Sequence, residues 1–364
     1  MINDRPNIFE FATSELSQDA VLLYLADCYN YEATKKIGEK FLQIFDCNID
    51  NLDKVYPLKQ FNKIDVLIVL DYIDHYGLLV IEDKTESSFH DNQLERYKEF
   101  LDSRDEFSDE QHEITPKKVK EEDIHFVYFK PLIYNENEEA ECKRSKYAVK
   151  KHDDFFKIFE TDCDDPVWKS YKEYYKVSHE KELKLKSAEK LEDFEGVSID
   201  DIMSSYCGQW RLMSILMSGN PMLPYKSGRQ YQGSSYGRPW TQYRFVIDND
   251  SKQEHWMNLN LEGEKRGKYS YFFRLDWNTQ GYYISCNQYI YDEKLSKSES
   301  KGTEVRKLMD ELEGKGIAHV KKGKGKKETS LWLYNFHSIA ELNSIKPDLI
   351  KIQDGIINSE NRQG

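Results

Sequence analysis

The 364-residue chain lacks several features that would assign it to a common class of protein. No apolar run approaches the roughly 20 residues that a membrane-spanning helix needs, so no membrane contact is expected. No Gly-x-Ser-x-Gly, no phosphate-binding Gly-Lys-Ser/Thr loop and no His-Glu-x-x-His occurs, which removes the common serine hydrolases, nucleotide-binding loops and zinc proteases. No Cys-x-x-Cys occurs either, and reduced thiols are expected at the six scattered cysteines: Cys28, Cys47, Cys142, Cys163, Cys207 and Cys286.

A secretory signal is also missing, because the start MINDRPNIFEF has no basic segment followed by an apolar one. We therefore expect a cytoplasmic protein. The net charge of −13 argues against a surface that binds nucleic acid everywhere, but it permits a local basic groove. The segment KKGKGKK could contact phosphates or could be a solubilising hairpin tip. Its candidate phosphate ligands are Lys321, Lys322, Lys324, Lys326 and Lys327.

The most informative stretch is residues 64–97, where two apolar runs flank a polar turn and predict a β-hairpin. A turn centred between Ile73 and Asp74 places Asp65 opposite Glu82, with Cβ atoms roughly 5 Å apart. Period-two alternation directs Glu82 and Lys84 to one face and the intervening aspartate to the other. The predicted face therefore has two carboxylates and one ammonium close together.

This combination favours a metal site over an ordinary solvated hairpin face. Two close carboxylates repel each other and are hard to keep ionised unless a cation neutralises them. Hard oxygen ligands suit Mg²⁺ or Mn²⁺. A lysine beside such a metal can orient an attacking water or stabilise charge on a phosphate oxygen. Asp65, Glu82 and Lys84 thus have the chemistry needed to hydrolyse a phosphodiester.

The arrangement resembles the PD-(D/E)XK nuclease superfamily, and within it the RecB-like branch with a trailing Gln-x-x-x-Tyr motif, here Gln93 and Tyr97. The resemblance covers roughly the first 130 residues. It implies that Asp65 and Glu82 bind Mg²⁺ or Mn²⁺ and that Lys84 positions the nucleophilic water or the phosphate. It also implies that Gln93 and Tyr97 contact the DNA backbone or brace the site. No Pro-Asp dipeptide precedes the first strand, since Lys63 and Ile64 stand there.

In some relatives a glutamate of the first helix completes the metal site, and Glu15 is the matching candidate. Glu15 borders an apolar stripe that includes Leu16, Ala20, Leu23 and Tyr24, so it could equally be a partly exposed boundary residue. Some RecB-like nucleases contain an iron–sulfur cluster with a tight late group of cysteines. That group is missing, so no iron–sulfur cluster is expected.

The order of elements fits an α/β (α+β) fold with a restriction-endonuclease-like mixed sheet flanked by helices. Helices are expected up to residue 45, then the hairpin, a helix at 92–101, a polar acidic loop at 102–122 and a strand at 124–134. We assign residues 1–155 to the nuclease core and 156–197 to a charged helical linker, a surface helix between two parts. A C-terminal α+β domain at 198–345 and a tail at 346–364 follow.

The C-terminal part is rich in aromatic residues and reads as a mostly antiparallel β structure, because strand-like runs recur about every ten residues. Its aromatic residues could stack on bases, although packing within the sheet is the more usual role. Arg229 and Arg238 are the best nucleic-acid-contact candidates there, since they lie in a turn-rich stretch.

These observations predict a metal-dependent nuclease, with a DNA endonuclease of prokaryotic defence or genome maintenance as the expected activity. The defence role rests on the resemblance alone. The motif does not separate DNA from RNA, so an RNA-directed nuclease is an alternative. A non-catalytic nucleic-acid-binding or regulatory protein on a nuclease fold is another. A homodimer is expected, since endonucleases that cut both strands often act in pairs.

Overall fold

The computed structural model describes residues 15–84, 93–102, 105–130, 132, 136–218, 230–235, 238–245, 269–290 and 328–361. The chain divides into two units, Met1–Leu183 and Lys184–Gly364, each with its own internal contacts. The described α-helices that begin in the first unit are α1 (Glu15–Asp27), α2 (Lys35–Ile44), α3 (Gln93–Asp102), α4 (Glu136–Arg144), α5 (His152–Phe156) and α6 (Pro166–Ser187), whose last four residues belong to the second unit. Its described strands are β1 (Leu52–Lys59), β2 (Val66–Tyr72), β3 (Tyr76–Asp83), β4 (Glu106–Asp109), β5 (Ile114–Phe129) and β6 (Ala148–Lys150).

The sheet of the first unit has the strand order β1-β2-β3-β5-β4, with β6 beside β5. Strands β1, β2 and β3 pair antiparallel, whereas β5 runs parallel to both β3 and β6. The predicted mixed α/β fold is therefore confirmed. The stretch predicted as an acidic loop at 102–122 instead contains β4 and the start of β5, because its apolar residues Phe107 and Ile114 are buried in the core.

The β2–β3 hairpin has the register that the sequence predicts. Val66 pairs with Ile81, and Asp71 pairs with Tyr76 at the turn. Continued by one residue, this register sets Asp65 opposite Glu82. The strands form because both are rich in β-branched and large apolar residues, which pack well on a pleated surface.

The two faces of this sheet have separate apolar cores. Val66, Ile68, Leu79 and Ile81 pack with α1, α2, α5 and α6 on one face, the α1 face. Alternate residues of the same strands, among them Leu67 and Val80, pack with α3 on the other, the α3 face. Because side chains alternate along a strand, Asp65, Glu82 and Lys84 belong to the α3 face and Asp83 to the α1 face.

Two helices differ from the sequence prediction in how they pack. In α1 the buried apolar residues are Val21, Leu22, Leu25 and Ala26, whereas Ala20 of the predicted stripe is exposed. Helix α6 is not a surface linker along its whole length. Its aromatic residues Trp168, Tyr171 and Tyr175 recur every three or four positions, and this stripe is buried in the core of the first unit.

The second unit has a five-stranded antiparallel sheet in the order β11-β10-β9-β8-β7, which confirms the predicted antiparallel β part. Its described strands are β7 (Gln230–Ser235), β8 (Arg238–Phe245), β9 (Tyr269–Asn278), β10 (Gly281–Ile290) and β11 (Glu328–Phe336). Its described helices are α7 (Ile199–Ser204), α8 (Tyr206–Met217) and α9 (Ile339–Asn361). The predicted tail differs, since α9 continues to Asn361 with Leu349, Ile352 and Ile356 buried.

Candidate active site

The predicted carboxylates and lysine meet where β2 begins and β3 ends. The ammonium Nζ of Lys84 lies 2.6 Å from Oε1 of Glu82 and 3.4 Å from Oδ2 of Asp65. Glu82 is fully buried, and the Lys84 side chain is 9% exposed. The Asp65 side chain is 26% exposed, so it forms the solvent-accessible edge of the group. One ammonium thus contacts two carboxylates at a partly open rim.

The backbone before β2 positions Asp65. Gln60, Asn62 and Lys63 all have left-handed backbone conformations, with φ of 51°, 51° and 70°. This conformation is costly for residues other than glycine, so surrounding contacts have to maintain it. The amide of Gln60 donates to the carbonyl of Asp65 at 3.3 Å, which closes the turn between β1 and β2. A tight, strained turn therefore places Asp65 directly before β2.

Burial dominates the electrostatics of the group. Burial raises the pKa of Glu82, the ammonium of Lys84 lowers it and the nearby carboxylate of Asp65 raises it, and the net result is a pKa of about 7. A carboxylate that is difficult to ionise gains from a second cation, because Lys84 neutralises only one of two negative charges. The chemistry of these donors therefore fits a divalent metal ion bound by Asp65 and Glu82.

Tyr97 lies on the α3 face, where its ring is buried. Its hydroxyl donates to the backbone carbonyl of Lys63, two residues before Asp65. This contact reaches the strained turn and favours the bracing role over direct contact with substrate. Gln93 is the first residue of α3, and its side chain is outside the described part of the chain. The hydroxyl of Tyr147 fixes the same end of α3 by donating to the carbonyl of Leu94 at 3.2 Å.

Removing the hydroxyl of Tyr97 should weaken cleavage more than it weakens folding. We expect Tyr97→Phe to lower the free energy of unfolding by about 1 kcal/mol, the usual value for one hydrogen bond. Cleavage should fall about tenfold or more, because the Lys63 turn would place Asp65 less accurately. Steady-state cleavage rates and urea unfolding would measure both effects.

Tyr29→Phe is a matched control for that variant. The hydroxyl of Tyr29 also donates to a backbone carbonyl, that of Leu52, at 2.7 Å. Its loss should cost similar stability and leave cleavage unchanged. Equal cleavage rates for the two variants would contradict a specific role for the Tyr97 hydroxyl.

A second buried lysine lies next to the group and was missed by sequence reasoning. Lys130 is fully buried, and its Nζ contacts both carboxylate oxygens of Glu138, at 3.0 and 3.2 Å. It directly follows β5, whose Tyr128 pairs with Glu82 across the strands. The sequence signal was a single lysine within the apolar run FVYFKPLIY, which was read as a plain strand. This buried pair adds no net charge beside Glu82.

The described structure does not test the remaining predicted site residues. Glu15 is the first residue of α1, but its side chain is outside the described part, as are Arg229 and all five lysines of KKGKGKK. Arg238 is exposed, with its guanidinium 4.3 Å from the centre of the Trp277 ring, a cation–π contact within the second unit. Among the described residues, no three His, Cys, Asp or Glu side chains come together as a metal-binding cluster.

The wider structure adds two observations. No described helix is long and apolar enough to span a membrane. All six cysteines lie in the described part of the chain, where none forms a disulfide and only Cys163 is partly exposed.

Comparison with known proteins identifies the family. The family model described as the PD-(D/E)XK nuclease superfamily matches residues 8–191, just over half of the chain. The chain belongs to the PD-(D/E)XK nuclease superfamily. The matched range includes the β2–β3 hairpin, α3 and the mixed sheet, and so contains Asp65, Glu82 and Lys84. No match was found among curated proteins or among solved structures.

Proposed function

We propose that this protein is a metal-dependent nuclease that hydrolyses phosphodiester bonds at the Asp65–Glu82–Lys84 group. The observation that carries the proposal is the contact of one lysine ammonium with two carboxylates, at 2.6 and 3.4 Å, in a member of a nuclease superfamily. Asp65 and Glu82 would bind Mg²⁺ or Mn²⁺, and Glu15 is the candidate third ligand. An intact acid-x-lysine triplet favours catalysis over a purely binding role.

Each residue has a distinct task in this proposal. A bound divalent cation polarises the phosphate and lowers the pKa of a coordinated water. Asp65 and Glu82 fix the position of that cation from two strands. Lys84 orients the attacking water or stabilises charge on a phosphate oxygen, because its ammonium contacts both of the metal-binding carboxylates. Tyr97 maintains the turn before Asp65, and Gln93 orders the phosphate backbone at the start of α3.

We propose double-stranded DNA as the substrate and endonucleolytic cleavage as the reaction, within the RecB-like branch of the superfamily. The Gln93 and Tyr97 spacing supports that branch. Lys321, Lys322, Lys324, Lys326, Lys327, Arg229 and Arg238 are the proposed DNA contacts of the C-terminal part. Prokaryotic defence or genome maintenance, with a homodimer cutting both strands, is the setting that fits such an enzyme.

A cleavage assay tests this proposal. Supercoiled plasmid, linear duplex, single-stranded DNA and RNA would each be incubated with Mg²⁺, Mn²⁺ or EDTA. Metal-dependent nicking or linearisation of the plasmid is the expected result. Degradation of linear DNA alone would identify an exonuclease, and cleavage of RNA alone would reassign the substrate. Binding without cleavage in every metal would contradict catalysis.

A further inference from the structure

The middle residue of the acid-x-lysine triplet, Asp83, is a buried carboxyl on the α1 face. It is 1% exposed, and its Oδ1 accepts a hydrogen bond of 2.6 Å from Nε2 of Gln18 in α1. The carboxyl of Asp19, 3% exposed, lies beside it. Burial and the neighbouring Asp19 raise the pKa of Asp83 well above its usual range.

The backbone of Asp83 also accepts a hydrogen bond, from the lysine on the opposite face of the strand. Its backbone carbonyl accepts a hydrogen bond of 3.1 Å from Nζ of Lys84. The same ammonium contacts Glu82 and Asp65. The side chain of Asp83 therefore ties the last residue of β3 to α1, while its carbonyl orients the lysine. Any shift of Asp83 would move one of the three oxygens that contact the Lys84 ammonium.

Placing the Asp83 carboxyl between the sheet and α1 costs free energy, because the group loses its hydration. An apolar side chain would fill the space between the sheet and α1 without desolvating a polar group. A hydrogen-bonded polar group instead fixes direction and register, which apolar contacts do not. The observed hydrogen bond joins the end of β3 to Gln18, three residues after Glu15, the first described residue of α1.

We infer that Asp83 is a positioning residue of the proposed nuclease, which through Gln18 fixes α1 and the end of β3 so that Lys84 and the metal-binding acids keep their geometry. This inference rests on the proposed function. Asp83 itself faces away from the α3 face and does not contact substrate. Its effect is transmitted through the Lys84 ammonium and through the start of α1.

The test compares Asp83→Leu, Asp83→Asn and Gln18→Leu with the wild-type protein. Asp83→Leu should lower kcat about tenfold to a hundredfold, since small misplacements in an active site have effects of that size. KM for DNA should stay within about twofold, because no contact with substrate is lost. Gln18→Leu should shift kcat in the same direction. Gln43→Leu, at an exposed position of α2, is the matched control and should cleave like the wild type.

Asp83→Asn should restore most of the activity, because an amide oxygen still accepts from Gln18 and its NH₂ group can donate to Asp19. Thermal unfolding separates positioning from a merely structural role. Asp83→Leu leaves the amide of Gln18 without its acceptor and can lower the Tm. The rates are therefore compared well below the Tm of every variant, where all the proteins are folded and a fall in kcat reports a change of geometry. Loss of activity only in proportion to loss of folded protein would overturn the inference.

Two further readouts do not depend on cleavage. Calorimetric titration with Mn²⁺ should show weaker binding to Asp83→Leu than to the wild type, with Asp83→Asn in between. Hydrogen exchange of the metal-free protein should be faster at the start of α1 in Asp83→Leu. If the wild type cleaves and Asp83→Leu has the same kcat and the same Mn²⁺ affinity, only the inference is overturned. A wild-type protein that cleaves no substrate overturns the proposed function, and equal Mn²⁺ affinities would then overturn the inference as well.

Discussion

Replacing Lys84 by alanine should lower the cleavage rate about a hundredfold to a thousandfold, the loss seen when one charge-stabilising group is removed from an active site. The ammonium of Lys84 contacts Glu82, Asp65 and the carbonyl of Asp83, so its removal takes away the positive charge that touches both carboxylates. Substrate binding should change little, because DNA affinity comes from contacts spread over the protein surface. Single-turnover cleavage of supercoiled plasmid in Mg²⁺ would measure the effect.

The variant set around Lys84 separates catalysis from folding. Removing one partner of a buried ion pair can be strongly destabilising. Lys84→Met keeps the aliphatic stem and removes only the charge, so it should fold at least as well as Lys84→Ala and cleave as slowly. Asp65→Ala should be similarly inactive. Lys176→Ala and Asp53→Ala, both at exposed positions of the first unit, should cleave at the wild-type rate.

One result would exclude the assignment of this site. If Asp65→Ala and Lys84→Met both cleave like the wild type while Lys176→Ala does too, the nuclease activity resides elsewhere. Loss of cleavage in all of the variants, including the two surface controls, would indicate a general folding defect. Circular dichroism of each protein distinguishes these outcomes.

The second large effect concerns Glu82 and pH. Its folded-state pKa is about 7, against 4.5 for the unperturbed group. The folded protein therefore retains a proton that the unfolded chain has already lost, and stability falls as pH rises from 4.5 to about 7. At about 1.4 kcal/mol per pKa unit, Glu82 lowers the free energy of unfolding by about 3 kcal/mol above pH 7.

Glu82→Gln should remove this pH dependence, because glutamine has no proton to lose. In metal-free buffer the wild type should lose about 3 kcal/mol relative to Glu82→Gln between pH 4.5 and pH 8. Urea unfolding of both proteins at the two pH values gives the change in the free energy of unfolding for each. The difference between the two changes is the contribution of Glu82, because the other titrating groups affect both proteins equally. A difference near zero would show that Glu82 ionises normally in the folded protein.

A bound metal ion should raise the stability of the folded protein, whereas ionisation of Glu82 lowers it. Mg²⁺ or Mn²⁺ bound by the carboxylates stabilises the folded state by about 2.7 kcal/mol at a hundred times its Kd. This stabilisation should appear in the wild type at pH 8 and should largely disappear in Glu82→Gln and at pH 5.5, where Glu82 is protonated. Cleavage should rise with pH up to about 7 for the same reason. A metal-induced rise in Tm that is equal in both proteins would remove Glu82 from the metal site.

Part of this site could be predicted from the sequence because it depends on local geometry. The register of a hairpin follows from where its turn lies, and successive side chains of a strand point to opposite faces. The turn after Tyr72 therefore determined that Asp65 is opposite Glu82, and alternation determined that Lys84 joins them and Asp83 does not. The helix predicted at 92–101 likewise agrees with α3, which contains Gln93 and Tyr97.

Only the tertiary structure decided which distant groups these residues contact. The hydroxyl of Tyr97 reaches a carbonyl 34 residues away, and Gln18 reaches Asp83 across 65 residues. The buried stripe of α1 also differs from the predicted one, because the apolar pattern fitted more than one face and packing against the sheet selected among them. Local periodicity determines which side chains share a face. Partners between distant segments are determined by the packing of whole elements, which no short stretch of sequence encodes.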